Sequence, residues 1–347
     1  MPSSPASTVP TLTVSEAAAS QALPTHRDIE QAALRLAGHA IHTPLLRSPA
    51  LDQLTGARVL IKPETLQRTG SFKFRGAFNK IRRLVEEGPK PKAIVAFSSG
   101  NHAQGVAAAA ALMGLPATIV MPADAPAIKI NNTRALGAEV IVYDRYRQDR
   151  EQVAKKLAEE RNAAIVRPYD DPDIIAGQGT IGREIAADAL ALGLTPEIAL
   201  VPCGGGGLIA GTGLALKHAL PAIKVYGCEP VGFDDTKRSL EAGQRVANAP
   251  DARSICDALM AATPGELTFA INRRQLAGGL AVSDDEVMRA IAVAHNLLKL
   301  VVEPGGVVAL AALLTGKLDF KGRTVALVLS GGNVDPEIYA RALALAG

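Results

Sequence analysis

The stretch IALVPCGGGGLIAGTGLALKHA, residues 198–219, decides the fold. Ile198 to Pro202 form a continuous apolar run of strand length, and Ile209 to Ala219 read as an Ala- and Leu-rich helix. Between them stand four consecutive glycines: Gly204, Gly205, Gly206 and Gly207. A strand apolar on both faces belongs inside a parallel sheet. A glycine-rich turn from such a strand into a helix lets several backbone N–H groups converge on an anion.

The same alternation extends in both directions. Further strands are expected at Arg58–Lys62, Ala93–Phe97, Ala117–Met121, Glu139–Tyr143, Lys224–Gly227 and Thr324–Leu329. Helical windows fall at Gly105–Met113, Arg150–Arg161 and Asp284–Leu298, and Thr25 is placed to cap a helix over His26 to Ala37. The expected class is α/β, with parallel strands flanked by helices. The alternation forms two blocks, one from about Phe72 to Tyr169, the other following it; Pro, Asp and Gly cluster between them at Pro168–Gly179. In such folds ligands sit at the carboxyl ends of the strands, so the chemistry is sought in the loops there.

Composition sets the outer bounds. The 347 residues suggest about two domains, and 48% hydrophobic with 20% charged residues describes a folded chain with a large core. A net charge of +3, no basic stripe, 3% aromatics and no Trp argue against nucleic-acid binding. No apolar run reaches the ~20 residues of a membrane span. Residues 1–24, rich in Ala, Ser, Thr and Pro, read as a flexible extension rather than a signal peptide. Cys203, Cys228 and Cys256 stand far apart, which gives neither a disulfide framework nor a zinc motif and makes a cytoplasmic setting the default.

Four loops carry chemical character. In TGSFKFRGA, residues 69–77, Ser71 is placed to cap a helix whose buried stripe is Phe74, Phe78, Ile81 and Leu84. Lys73 then falls in the first turn, where the helix dipole disfavours a cation and lowers the amine pKa, which suits Schiff-base chemistry. The plain alternative is a surface helix start with Lys73 and Arg75 solvated. In FSSGNHAQG, residues 97–105, Ser98, Ser99 and Asn101 add side-chain donors to a helix N-terminus suited to a carboxylate. Phe97 stands where a nucleophile elbow needs its first Gly, so an esterase reading is poor.

The tetraglycine is followed by no Gly-Lys-Ser/Thr and is not a Walker A loop. Gly205, Gly207 and Ala210 satisfy G-x-G-x-x-A, and Glu229 follows about 20 residues on, so an NAD-dependent dehydrogenase competes on this loop alone. The fourth loop, Ser330-Gly331-Gly332-Asn333, could set a hydroxyl against a ligand's ring nitrogen.

Taken in order, SFKFRGA, SSGNH, the tetraglycine and SGGN resemble the fold type II pyridoxal-phosphate enzymes, in the threonine/serine dehydratase and serine racemase branch. The resemblance runs from about Ile29 to Asn333 and outweighs the dehydrogenase reading, which explains one loop. It implies two mostly parallel sheets flanked by helices, as in tryptophan synthase β. It divides the chain into a large cofactor-binding domain over 25–66 and 170–347 and a small domain over 67–169, with no C-terminal regulatory domain.

The resemblance further implies Lys73 as the lysine that bonds to pyridoxal phosphate, Phe72 against its ring, and Asn101 on the ring hydroxyl. Gly204, Gly205, Gly206, Gly207 and Leu208 would hold the phosphate, and Ser330 the pyridine nitrogen. A neutral hydroxyl there leaves the electron sink shallower than a carboxylate would, which favours loss of a β-substituent. The substrate carboxylate would meet Ser98, Ser99, Asn101 and His102, with Ser99 as a second acid/base. The implied reaction converts L-threonine, L-serine or a related β-hydroxy amino acid to a 2-oxo acid and ammonia. The alternatives on this scaffold are an amino-acid racemase and a 3-hydroxyaspartate or phenylserine dehydratase. Arg150 aligns with an arginine able to meet a second carboxylate; a plain surface arginine, among Arg145 and Arg147, is the alternative. Cys256-Asp257-Ala258-Leu259-Met260 departs from the Ala-Asp-Gly of many relatives near the substrate side chain. Glu229, the Phe233 carbonyl and Asp235 resemble the branch's Mg²⁺, Ca²⁺ or Mn²⁺ site. Relatives are usually homodimers or homotetramers.

Overall fold

The computed structural model describes residues 22–98, 100–125, 127–144 and 147–345. The extension read over residues 1–24 lies outside them except for 22–24, as do Ser99 and Arg145. The chain runs α1 (His26–Leu36), α2 (Pro49–Thr55), β1 (Arg58–Pro63), α3 (Lys73–Glu86), β2 (Ala93–Phe97), α4 (Asn101–Leu112), β3 (Ala117–Pro122) and α5 (Ala127–Ala135). Next come β4 (Glu139–Tyr143), α6 (Arg150–Arg161), β5 (Ala163–Ile165), α7 (Pro172–Ala191), β6 (Ile198–Pro202), α8 (Gly207–Ala219), β7 (Lys224–Pro230) and α9 (Asp235–Ala242). The remainder is α10 (Glu266–Gln275), β8 (Leu276–Val282), α11 (Asp284–Val293), α12 (Pro304–Leu314), β9 (Thr324–Leu329) and α13 (Pro336–Ala344).

The strands form two sheets, ordered β1-β9-β6-β7-β8 and β4-β3-β2-β5, and every pairing within them is parallel. Of the inner strands, β2, β3, β6 and β9 are buried at every residue, as their largely apolar sequences require, and β7 is buried from Gly227 to Pro230. On one face of the larger sheet Ile61, Leu200 and Leu327 pack with Val307 and Leu310 of α12. On the other, Leu60, Val201 and Val328 meet Ile185 of α7 and Ile209 of α8. The smaller sheet buries Ile94 and Ile119 against Phe74 and Phe78 of α3 and Val106 of α4, and Val95 and Val120 against Ala154 and Ala158 of α6. Each such Leu, Ile or Phe contributes about 1.5–3 kcal/mol.

All seven expected strands are present, and β1, β3 and β7 run one to three residues longer than expected. Two strands were not expected. β5 is a half-buried three-residue edge strand, and β8 carries Gly278 and Gly279 and also lies at an edge. The window from Asp284 splits into α11 and a π-helical turn over Ala294–Leu298. Thr25 caps α1 as expected, with its N–H and hydroxyl both donating to Asp28 at 2.7 Å.

One local reading is corrected. Ser71 does not cap α3; Phe72 is the N-cap residue, and the Ser71 hydroxyl is buried without a partner, its backbone bridged to Gly331. The two glycines of Pro168–Gly179, Gly177 and Gly179, lie within α7, which begins at Pro172 behind the Asp171 cap and runs for 20 residues. They are contacts: a Cβ on Gly177 would lie 2.7 Å from the Arg75 carbonyl, and one on Gly211 of α8 would lie 2.1 Å from the Ile175 carbonyl. Three helices thus touch backbone to backbone, and α3 is fixed against both sheets' layers.

Candidate active site

The loops after β2, β5, β6 and β9 meet around one cavity of about 180 Å³, at the carboxyl ends of strands from both sheets. Lys73, Ser98, Asn101, His102, the four glycines, Leu208 and Ser330 all line it, together with Phe72 and Arg150. The sequence-predicted residues are therefore brought together, apart from Ser99, which lies outside the described residues, and the Glu229 group described below.

Lys73 opens α3 and its Nζ donates to the Pro168 carbonyl at 2.8 Å, above the Phe72 ring at 5.1 Å from the centroid. Its pKa is pushed down to about 8, as the reading of the loop expected, but burial is the main cause, and the nearby Glu303 carboxylate opposes it. The solvated alternative fails for Arg75 as well. Arg75 is 1% exposed and bonds Glu64 and Glu184 at 2.6 to 2.9 Å, with Thr180 and the Ile41 carbonyl completing the set.

The four glycines form a cradle at the N-terminus of α8. Gly206, at φ +90°, holds a left-handed conformation that other residues resist, and a Cβ on Gly205 would lie 2.5 Å from the Tyr169 ring. The Gly205 and Gly206 carbonyls accept from Thr268 at 2.7 Å and Asn272 at 3.3 Å, residues behind the cavity wall. Across the cavity, His102 Nε2 donates to the Val166 carbonyl at 3.0 Å, and burial, then Lys73, pushes its pKa down to about 3. The imidazole is therefore neutral at physiological pH.

Sequence reasoning missed Glu303, Asn333, Lys129 and Tyr169. Glu303 is a buried carboxylate that accepts from Asn101 Nδ2 at 2.5 Å, and Asn333 donates to Asn101 Oδ1 at 2.7 Å. Burial and Asp257 push the Glu303 pKa up to about 7, while Asn101, Lys129 and Lys73 draw it down. A lone Glu before Pro304 carries no local signal. Asn333 could have been found, since it ends the fourth loop.

A protein-family model described as "Pyridoxal-phosphate dependent enzyme" matches residues 36–331. The chain belongs to the pyridoxal-phosphate dependent enzymes. It is 44% identical over 326 residues to L-threo-3-hydroxyaspartate ammonia-lyase from a Pseudomonas species, covering 92% of this chain and 99% of that one. It is 38% identical to serine racemase of Schizosaccharomyces pombe, over 92% of this chain and 98% of that one. The crystal structure of T.th. threonine deaminase superposes with a TM-score of 0.85 at 44% identity, over 90% of this chain and 99% of that one.

The residues fit the family's cofactor. A half-buried lysine whose amine pKa is lowered, a glycine cradle that a Cβ would fill, and a helix N-terminus for a phosphate converge on one cavity. The dehydrogenase reading falls with this assignment, and Glu229 was not available to it. Glu229 is fully buried and its two oxygens accept from the Thr236 and Lys237 backbone N–H groups at 2.9 and 2.8 Å.

The Glu229 group lies beyond the cavity wall. Burial, then Asp235, pushes the Glu229 pKa well up. Burial raises Asp235 to about 7; its Oδ1 accepts from Asn248 at 2.6 Å while its Oδ2 is buried without a partner. Among the described residues no cluster of three or more His, Cys, Asp or Glu side chains is set to hold a metal. The orphaned Asp235 oxygen beside a second buried carboxylate suits a hard cation bound through oxygen. Among the described residues no helix is long and apolar enough to cross a membrane.

Proposed function

We propose that this enzyme removes ammonia from a β-hydroxy amino acid to leave a 2-oxo acid, and that its preferred substrate carries a second carboxylate, as L-threo-3-hydroxyaspartate does. One observation carries the choice: the Arg150 guanidinium stands in the same cavity as Lys73, held 5.5 Å over the Phe97 ring. A substrate with an apolar side chain leaves that cation unused; a dicarboxylic one meets it. The Pseudomonas relative, named for that substrate, supports the reading.

Pyridoxal phosphate, when bound, supplies the electron sink that makes the α-proton acidic. The chain supplies the rest. Lys73 holds the cofactor and then takes the α-proton, a task that its amine pKa of about 8 suits. Gly204 to Leu208 would hold the phosphate, Ser330 the ring nitrogen and Asn101 the ring hydroxyl. Ser98 and the α4 N-terminus, with neutral His102 behind them, would receive the α-carboxylate. The β-hydroxyl departs from Cβ as water with the proton that Lys73 took, and a second water releases the nitrogen as ammonia. For 3-hydroxyaspartate the products are oxaloacetate and ammonia.

We further assign Glu229, the Phe233 carbonyl and Asp235 to a divalent cation, Mg²⁺, Ca²⁺ or Mn²⁺. Such an ion should raise Tm in wild type and not in Asp235→Asn.

The deciding experiment measures kcat/KM of the reconstituted enzyme for threo-3-hydroxyaspartate, threonine and serine. A clear preference for the dicarboxylate is expected, and its loss in Arg150→Met. Equal turnover of all three, or a preference for threonine, would overturn the choice of substrate.

A further inference from the structure

We infer that Lys129 is a second specificity residue of this site: held by Asp257 in the free enzyme, it exchanges that partner for the side-chain carboxylate of a dicarboxylic substrate. The inference rests on the hydroxyaspartate reading above.

Lys129 stands on α5, beside the smaller sheet, and Asp257 on a single 3₁₀ turn, Asp257–Leu259, between β7 and β8 of the larger one. Their side chains form an ion pair across 128 residues of sequence. Both also line the cavity that holds Lys73. The two ends of the pair are not equivalent. The Lys129 side chain is 18% exposed and that of Asp257 is 53% exposed, so the cation is the inner member. Glu303, in the cavity wall, feels both: Asp257 raises its pKa and Lys129 lowers it.

Three physical consequences follow. A half-exposed pair is weakly held, so its cation can be given up to a better partner. A substrate carboxylate inside the cavity is less solvated than Asp257 and offers the stronger charge-assisted contact. Without Lys129, the two acids Asp257 and Glu303 would repel a second carboxylate; with it, one of those two charges is offset. Arg150 is already stacked on Phe97, whereas Lys129 is free to move between carboxylates through a flexible four-carbon stem.

The test uses the holoenzyme and its Lys129→Met, Lys129→Arg and Asp257→Asn variants. Two quantities are read: the ratio of kcat/KM for threo-3-hydroxyaspartate to that for threonine, and the inhibition constant of succinate. Succinate has the aspartate skeleton without the amine and so reports binding alone. Lys129→Met should lower the ratio, and weaken succinate, by about ten- to a hundredfold, the range of one charged hydrogen bond. Lys129→Arg should retain most of both. Asp257→Asn should tighten succinate, because the competing partner is gone.

A ratio unchanged in Lys129→Met would overturn the inference and leave Arg150 alone in the role. Succinate weakened by Asp257→Asn as much as by Lys129→Met would also overturn it, since the pair would then be a structural brace. If Lys129→Met does not fold, the opposed signs expected for Asp257→Asn decide. A wild type that ignores hydroxyaspartate defeats the substrate reading, while succinate still tests Lys129 separately.

Discussion

Asn101 donates to the buried carboxylate of Glu303 at 2.5 Å, joining the first residue of α4 to the residue that precedes α12 across 202 positions of sequence. The bond ties the smaller sheet's site loop to the larger sheet's helix layer. It also locates a carboxyl group whose pKa, pushed from 4.5 up to about 7, lies near neutrality.

That shift predicts a pH-dependent stability. The folded protein binds the Glu303 proton more tightly than the unfolded chain does. The associated stability is full below about pH 4.5 and is lost as pH rises through about 7. The amount is about 3 kcal/mol. Glu303→Gln should remove this component, so the difference in unfolding free energy between the apo forms should shift in the variant's favour between pH 5 and 8. A difference independent of pH would show that Glu303 does not titrate in that window.

Lys73 makes a kinetic prediction. Only a neutral amine attacks an aldehyde, so the rate at which apoenzyme takes up pyridoxal phosphate should rise with pH through about 8. A free lysine would place the rise near ~10.4. Stopped-flow absorbance over pH 6.5 to 10 reads it directly.

At Gly206 a Cβ meets both a left-handed backbone at φ +90° and the Asn272 amide nitrogen at 2.9 Å. Gly206→Ala should destabilise the protein by about 1–3 kcal/mol and weaken pyridoxal phosphate binding. Chemical denaturation and a cofactor titration check both effects; the latter should exceed that of Gly88→Ala, where a Cβ meets open space.

Arg75→Ala should cost about 3–5 kcal/mol, because it strands the buried Glu64 carboxylate without a cation and leaves Glu184 with Lys62 alone. Arg75→Lys keeps a charge but loses the forked geometry and should fall between. Arg75 lies two residues beyond Lys73 on α3, so cofactor affinity should fall alongside stability.

The loops were legible because their chemistry is local. Lys73, the glycines, Asn101 and Ser330 each sit in a short string whose composition makes no sense as a plain turn. Most inner strands were legible for a similar reason, since burial on both faces leaves a largely apolar run. What escaped depended on distance or on the edge of a sheet. β5 is too short and β8 too rich in glycine to announce a strand. Glu303 and Lys129 acquire their meaning from residues more than a hundred positions away. Ser71 looked like a cap because helix starts favour serine, but its pairing with Gly331 turns the hydroxyl inward.

The most direct test of the central claim is the visible spectrum of the reconstituted protein before and after threo-3-hydroxyaspartate, followed by assay of oxaloacetate and ammonia. A coloured band that shifts on mixing, with the two products released in equal amounts, is the expected result. In Lys73→Ala, which should fold, the products should not appear. A colourless protein, or one whose band shifts while no 2-oxo acid accumulates from it or from threonine or serine, would contradict the account.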